Sequence, residues 1–154
     1  MRIYGTETEF GLATRDGQAV DPVAESLFLV NQYPLLPPSP VLWDYEGERP
    51  LSDSRGFTVE GEAESPGPDY NRLLNKPLYN GGRLYVDGAH PEYSTPECSS
   101  PRELVIHEKA GEHIVLDCLR AVSRVRPDRS VIVYKNNTDG KGNRGAGRAA
   151  KNIP

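Results

Sequence analysis

The residues best suited to chemistry stand in two short alternating runs. In Ile3-Tyr4-Gly5-Thr6-Glu7-Thr8-Glu9-Phe10 an extended chain puts Glu7 and Glu9 on one face and Tyr4, Thr6, Thr8 and Phe10 on the other. In Arg83-Leu84-Tyr85-Val86-Asp87 the same alternation groups Arg83, Tyr85 and Asp87 against Leu84 and Val86. Two carboxylates at i and i+2 lie roughly 7 Å apart along a strand and repel each other if nothing neutralises them. A hard divalent cation such as Mg²⁺ resolves the repulsion, because it takes carboxylate oxygens together with phosphate oxygens and water. Glu92 and Glu97 follow close behind and add to the acidic count. The alternative is a solvated sheet face with ordinary charges, and residue types alone leave both open. Other candidates are weaker. His90 sits beside a proline and suits a turn cap, while His107 and His113 are six apart on a helix, about 240° around it, and cannot form one site. Cys98 and Cys118 form no CxxC pair and read as buried thiols. Gly140-Lys141-Gly142 lacks the spacing of a phosphate-binding loop.

The elements that must position these residues are partly visible. Residues 2–10 read as a strand. Asp21-Pro22 reads as an N-cap followed by proline at the first helical position, with Ala24, Leu27, Phe28 and Val30 as the apolar stripe. Residues 34–79 are rich in Pro, Gly, Ser and acids and read as a largely irregular insertion. Asn80-Gly81-Gly82 is a turn signal, 83–87 a strand, 88–91 a corner and 92–95 a further short strand. Ser100-Pro101-Arg102-Glu103 is a capping box. Leu104, Ile106, Ala110, Ile114, Val115, Leu119 and Val122 then continue a helix to the stop at Arg126-Pro127. Residues 130–135 read as a buried strand ended by turn residues at 136–140. The expected architecture is α+β: a small antiparallel or mixed sheet with one long helix packed on it.

Composition narrows the class. Gly and Pro together make 29 of 154 residues, and 36% of the chain is hydrophobic, which predicts a globular part with a sizeable irregular share. No apolar run approaches the roughly 18 residues of a membrane span, and the first residues lack an apolar signal segment. Two cysteines are too few for a disulfide scaffold, so a reducing cytoplasm is the expected location. The net charge of −4 is uneven. Residues 135–154 carry five basic side chains and one acid, against 13 basic and 21 acidic in the rest. Without interleaved aromatic residues, that basic end reads as a solvated tail rather than a nucleic-acid site.

Four segments together resemble the Pup ligase and Pup deamidase/depupylase family, enzymes of the bacterial proteasome system that are similar in fold to glutamine synthetase (a carboxylate-amine ligase fold). They are Gly5-Thr6-Glu7-Thr8-Glu9-Phe10-Gly11, Asn80-Gly81-Gly82-Arg83-Leu84-Tyr85-Val86-Asp87, His90-Pro91-Glu92-Tyr93-Ser94-Thr95-Pro96-Glu97-Cys98 and Tyr134-Lys135-Asn136-Asn137-Thr138-Asp139-Gly140-Lys141-Gly142. The segment from Trp43 to Phe57 resembles the extra loop of the deamidase branch, as does Gly88-Ala89-His90-Pro91-Glu92. The resemblance implies that Glu7, Tyr85 and Glu92 ligate Mg²⁺, with Glu9 in the same cluster. It implies that Arg83 and Thr95 contact ATP phosphates and that Asp87 is the catalytic base or nucleophile. The implied partners are the small protein Pup and pupylated proteins. The implied reaction is Mg-ATP-dependent hydrolysis of the C-terminal glutamine amide of Pup, or of the isopeptide bond joining Pup to a lysine. In a ligase, ATP would instead activate a terminal glutamate.

The resemblance covers residues 1–143, expected to be the amino-terminal part of the family's catalytic domain. Residues 144–154, a basic Gly/Arg tail, diverge from the Ser-Tyr-Gly-x-His-Glu-Asn-Tyr motif that the family carries next, whose histidine and glutamate help complete its site. A truncated deamidase/depupylase is the leading expectation. A Pup–protein ligase, or a non-catalytic remnant that binds nucleotide or Pup, is the alternative.

Overall fold

A computed structural model describes residues 2–34 and 72–135. Its elements in chain order are β1 (Glu7–Glu9), β2 (Gly11–Thr14), α1 (Pro22–Val30), β3 (Asn75–Pro77), β4 (Arg83–Asp87), β5 (His90–Ser94), α2 (Pro101–Val125) and β6 (Val131–Tyr134). Four strands form one sheet in the order β1-β5-β4-β3, and β2 pairs with β6 in a second sheet. Every pairing is antiparallel. The α+β expectation holds, with its sheets purely antiparallel and one long helix. Among the described residues, no helix is long and apolar enough to cross a membrane.

Alternation along β4 and β5 decides which face is core. Leu84, Val86 and Tyr93 are buried and join Phe10, Leu29, Val30, Val115, Cys118, Val122, Val131 and Val133 in one apolar cluster. The hairpin between β4 and β5 is tight: Asp87 pairs with His90, leaving only Gly88 and Ala89 in the loop. Gly88 has φ +55°, a left-handed conformation that glycine adopts without steric penalty. His90 and Pro91 therefore belong to β5 rather than to the expected corner.

Both helix starts follow the sequence. The Asp21 carboxylate accepts from Val23 N at 3.0 Å and Ala24 N at 3.1 Å, with Pro22 at the first position. Ser100 Oγ accepts from Glu103 N at 3.3 Å, while the Glu103 carboxylate reaches back to Ser99 N at 2.7 Å, one residue beyond the usual capping-box target. Helix α2 ends at Val125, next to the expected stop.

Four further expectations need correction. Residues 2–10 are not one strand: pairing in the main sheet is confined to β1, with an isolated bridge from Tyr4 to Cys98. Phe10 N still donates to Pro91 O at 2.9 Å before the chain leaves for β2. The insertion is not irregular to its end, because residues 75–77 form β3 on β4; Pro77 is tolerated at the outer position of the sheet. The buried side of α1 is Glu25, Ser26, Leu29 and Val30, whereas Ala24 is exposed. Glu25 turns inward because Arg126 and Arg129 pair with it, and the Arg126 guanidinium lies 3.5 Å over the Phe28 ring. On α2, Ile106 is exposed; the buried face runs through Gly111, Val115, Cys118 and Val122 at spacings of four and three. The residues 35–71, 136–140 and 141–154, with the Trp43 to Phe57 loop, the Gly140-Lys141-Gly142 segment and the basic tail, lie outside the described residues.

The sheet and α2 meet closely at Gly111. A Cβ there would stand 2.3 Å from Cδ1 and 2.4 Å from Cε1 of Tyr93, so only glycine lets the helix backbone rest on that ring. The Tyr93 hydroxyl is fixed at both sides, donating to His107 O at 3.0 Å and accepting from Asn80 Nδ2 at 2.9 Å, so the ring has little room to swing away. Gly111→Ala is expected to lower stability by about 1–3 kcal/mol or more through overpacking. Urea denaturation read by tyrosine fluorescence checks this; an unchanged midpoint would show that the helix shifts freely.

Candidate functional site

The face of the four-stranded sheet opposite the core gathers the candidate residues. Register sets its rows. Glu9 lies opposite Glu92, Glu92 opposite Tyr85, and Tyr85 opposite Asn75. The neighbouring row runs Glu7, Ser94, Arg83, Pro77. At the hairpin end Asp87 pairs with His90. Since strands lie about 4.8 Å apart and alternate residues share a face, three separate pieces of sequence deliver their acids to one patch.

One carboxylate oxygen from each of Glu9, Asp87 and Glu92 lies within 4.8 Å of the others. The second grouping centres on Tyr85, whose hydroxyl donates to Glu7 Oε1 at 3.2 Å; Ser94 Oγ donates to the same oxygen at 3.1 Å. Thus Glu7, Glu9, Tyr85, Asp87 and Glu92, though not Glu97, come together, but in two linked subsets. Asp87 stands with Glu9 and Glu92, while Glu7 stands with Tyr85. Burial grades them: Glu92 is 3% exposed, Glu9 is half-buried, and Glu7 and Asp87 are open.

Glu92 is the most strained member electrostatically. Burial pushes its carboxyl above the ordinary 4.5; a hydrogen bond from Tyr85 lowers it, and the charges of Glu7, Asp87 and Glu9 raise it further. Its Oε2 is buried with no hydrogen-bond partner among the described residues. Burial also raises the Tyr85 hydroxyl, helped by the neighbouring Glu92 and Glu7. A buried carboxylate with one oxygen lacking a donor, gathered with two further carboxylates, is suited to a hard cation that prefers oxygen ligands.

Arg83 and Thr95 lie at the other end of the face. They line an open cleft with Leu78, Gly82, Ser94 and Pro96. The Arg83 guanidinium sits 3.7 Å over the Tyr85 ring and its Nε donates to Asn75 Oδ1 at 2.7 Å. Thr95 Oγ1 accepts from Thr6 N at 3.0 Å, which leaves its own hydroxyl proton available to an oxygen acceptor. Glu97 lines the same cleft instead of joining the acids. Cys98 and Cys118 are both buried and free, and burial pushes the Cys118 thiol up to about 12. Sequence reasoning missed Ser94 and Asn75. Ser94 follows Glu92 by two, so the alternation that found the other acids could have found it. Asn75 carried no such signal, because its strand lies in what reads as an insertion.

The pattern of the Pup-ligase protein family matches residues 2–145. The chain belongs to that family. It is 43% identical over 147 residues to the depupylase of Acidothermus cellulolyticus, covering 92% of this chain and 29% of that protein. It is 41% identical over 149 residues to the Pup deamidase/depupylase of Mycobacterium tuberculosis, covering 92% and 30%. The Pup–protein ligase of Kineococcus radiotolerans is 33% identical over 147 residues, covering 92% and 25%. Among solved structures, the complex between prokaryotic ubiquitin-like protein Pup and its ligase PafA matches with a TM-score of 0.51 and 28% identity, over 90% of this chain and 22% of that one. The antiparallel sheets with one long helix are thus the glutamine-synthetase-like arrangement expected from the sequence. The chain spans less than a third of the length of these curated relatives.

The buried charge of Glu92 has a measurable consequence in this family member. With its folded pKa raised, ionisation opposes folding; the penalty is absent below the ordinary 4.5 and develops as pH rises through the higher folded value. Glu92→Gln is therefore expected to stabilise the EDTA-treated chain by about 1–3 kcal/mol at neutral pH. The gain should vanish below pH 4.5, and thermal unfolding across that range checks both halves.

Proposed function

We propose that this chain forms one wall of the Mg-ATP-dependent site of a Pup deamidase/depupylase. The observation that carries this reading is the orphaned buried Oε2 of Glu92, on a residue whose carboxylate gathers with those of Glu9 and Asp87 within 4.8 Å. Glu7, Glu9, Tyr85 and Glu92 would hold Mg²⁺. Arg83, whose planar fork suits paired phosphate oxygens, and Thr95, with a hydroxyl to donate, would hold the nucleotide. When bound, the cation supplies positive charge that neutralises the cluster and polarises a carbonyl.

Asp87 is the reacting group in this reading. It is exposed at the end of β4, where a carbonyl can approach, and Tyr85, two residues back on the same face, keeps it beside the acids. As nucleophile, its carboxylate attacks the side-chain carbonyl at the Pup C-terminus. The C–N bond breaks, ammonia or a lysine amine leaves, and water returns the aspartate. As base, it takes a proton from the water that attacks instead. Both routes consume one water and end in a glutamate carboxylate. The partners are Pup and pupylated proteins, and a cytoplasmic location fits them.

The direction of the reaction rests on similarity, since the relatives named depupylase or Pup deamidase are 41–43% identical and the ligase 33%. The match to PafA keeps a Pup–protein ligase as the second reading. Ammonia release from glutamine-ending Pup tests the proposal, using the chain alone and mixed with the remaining part of a relative. Asp87→Asn is expected to reduce that release by about 10²–10⁴-fold. Turnover that survives in Asp87→Asn would remove the aspartate from its role. Isopeptide formation in place of ammonia release would favour the ligase, and Mg-ATP binding without turnover a non-catalytic remnant.

A further inference from the structure

We propose that Glu108 on α2, acting through Thr6 and Thr8, is the positioning residue that holds Glu7 and Glu9 in the carboxylate cluster; this rests on the cation-binding reading of that cluster. β1 is only three residues long, and its partner among the described residues is β5 alone. Such a strand carries two acids into the field of Glu92 and Asp87, which pushes it away from the sheet. Pairing with β5 fixes its register but gives little resistance to that push.

The resistance comes from behind. The alternation that sends Glu7 and Glu9 to one face sends Thr6 and Thr8 to the other. Both hydroxyls donate to the same carboxylate, Thr6 Oγ1 to Glu108 Oε2 at 3.0 Å and Thr8 Oγ1 to Glu108 Oε1 at 2.7 Å. Glu108 is itself fixed: Lys135 Nζ, just past β6, lies 2.8 Å from Glu108 Oε1 and 2.5 Å from Glu112 Oε1. An ionised carboxylate accepts without donating, so it can take two hydroxyls and an ammonium at once. One side chain on the long helix thereby ties β1 to α2 and to the end of β6. Thr8 lies between the two acids it positions, so loss of its hydroxyl alone should be felt on the opposite face.

The test uses the full 154-residue chain and Mn²⁺, with free aquo-Mn²⁺ read by electron paramagnetic resonance. Thr8→Val keeps the shape and removes the donor, and it is expected to weaken Mn²⁺ binding by about 10-fold or more. Thr8→Ser restores the donor and should return affinity to within about twofold of wild type by the same reasoning. Glu108→Gln should weaken binding as well. Val122→Ala, a core truncation on α2, controls for loss of stability and should leave affinity unchanged. Equal affinities for wild type, Thr8→Val and Thr8→Ser would overturn the assignment while leaving the cation site standing. An equal loss in Thr8→Val and Val122→Ala would overturn it too, since the effect would then be general. A wild-type chain that binds no Mn²⁺ would overturn the cation reading and this assignment together.

Discussion

Like charges held close on one sheet face are the constraint on which the rest of this structure turns. With carboxylate oxygens within 4.8 Å of one another, Glu9, Asp87 and Glu92 repel when ionised, most consequentially at the buried Glu92. No short segment could hold such a group unaided. The acids come instead from three strands whose order is enforced by antiparallel register and by the two-residue hairpin at Gly88. Behind them lies a close approach of helix and sheet, where Tyr93 fills the space above Gly111 and its hydroxyl is bonded on both sides. Core density on one face is what permits charge density on the other.

Two glutamates show how surroundings divide the same side chain between opposite behaviours. Burial pushes up the carboxyls of both Glu92 and Glu108. At Glu92 the neighbouring charges are acids and the shift stays upward. At Glu108 hydrogen bonds from Lys135, Thr8 and Thr6 outweigh the burial and hold it below the usual value. Glu108 is thus complete within the chain, a structural acid with its partners supplied. Glu92 is incomplete and gains from any positive charge brought to it. That contrast, more than the number of acids, separates a binding face from a solvated one.

Much of the face was legible because a strand encodes it with period two. Arg83, Tyr85 and Asp87 could be assigned to one side, and Leu84 and Val86 to the core, from alternation alone. Helix starts were legible because caps depend on neighbouring residues: Asp21 before Pro22, and Ser100 before Pro101. What could not be read depended on partners distant in sequence. The inward turn of Glu25 needs Arg126 and Arg129, about a hundred residues later, so a stripe drawn from apolar residues alone found Leu27, Phe28 and Val30 against the core but could not include Glu25 or exclude the exposed Ala24. The pairing of β2 with β6 and of β3 with β4 likewise follows from tertiary register. The close approach at Gly111 was invisible because a glycine inside a helix pattern announces nothing about the ring it meets.

The rows of the face also explain why this wall alone leaves the reaction's direction open. Along β4 the order is Arg83, Tyr85, Asp87, and the antiparallel neighbour runs Ser94, Glu92, His90 in the same sense, with Thr95 just beyond Ser94. Residues proposed for phosphate therefore sit at one end and the proposed reacting carboxylate at the other. The four-residue step between them is about 13 Å of strand, and the acids occupy the middle. A nucleotide at one end, a cation between and a carbonyl at the other suit hydrolysis and ligation equally, because both need charge neutralised midway along the same line. Discrimination must then come from what meets the exposed Asp87 end, where water is admitted for hydrolysis and an activated glutamate awaits an amine for ligation. On the proposed reading the sheet would fix the axis of the chemistry, and whatever meets the exposed Asp87 would decide its sense.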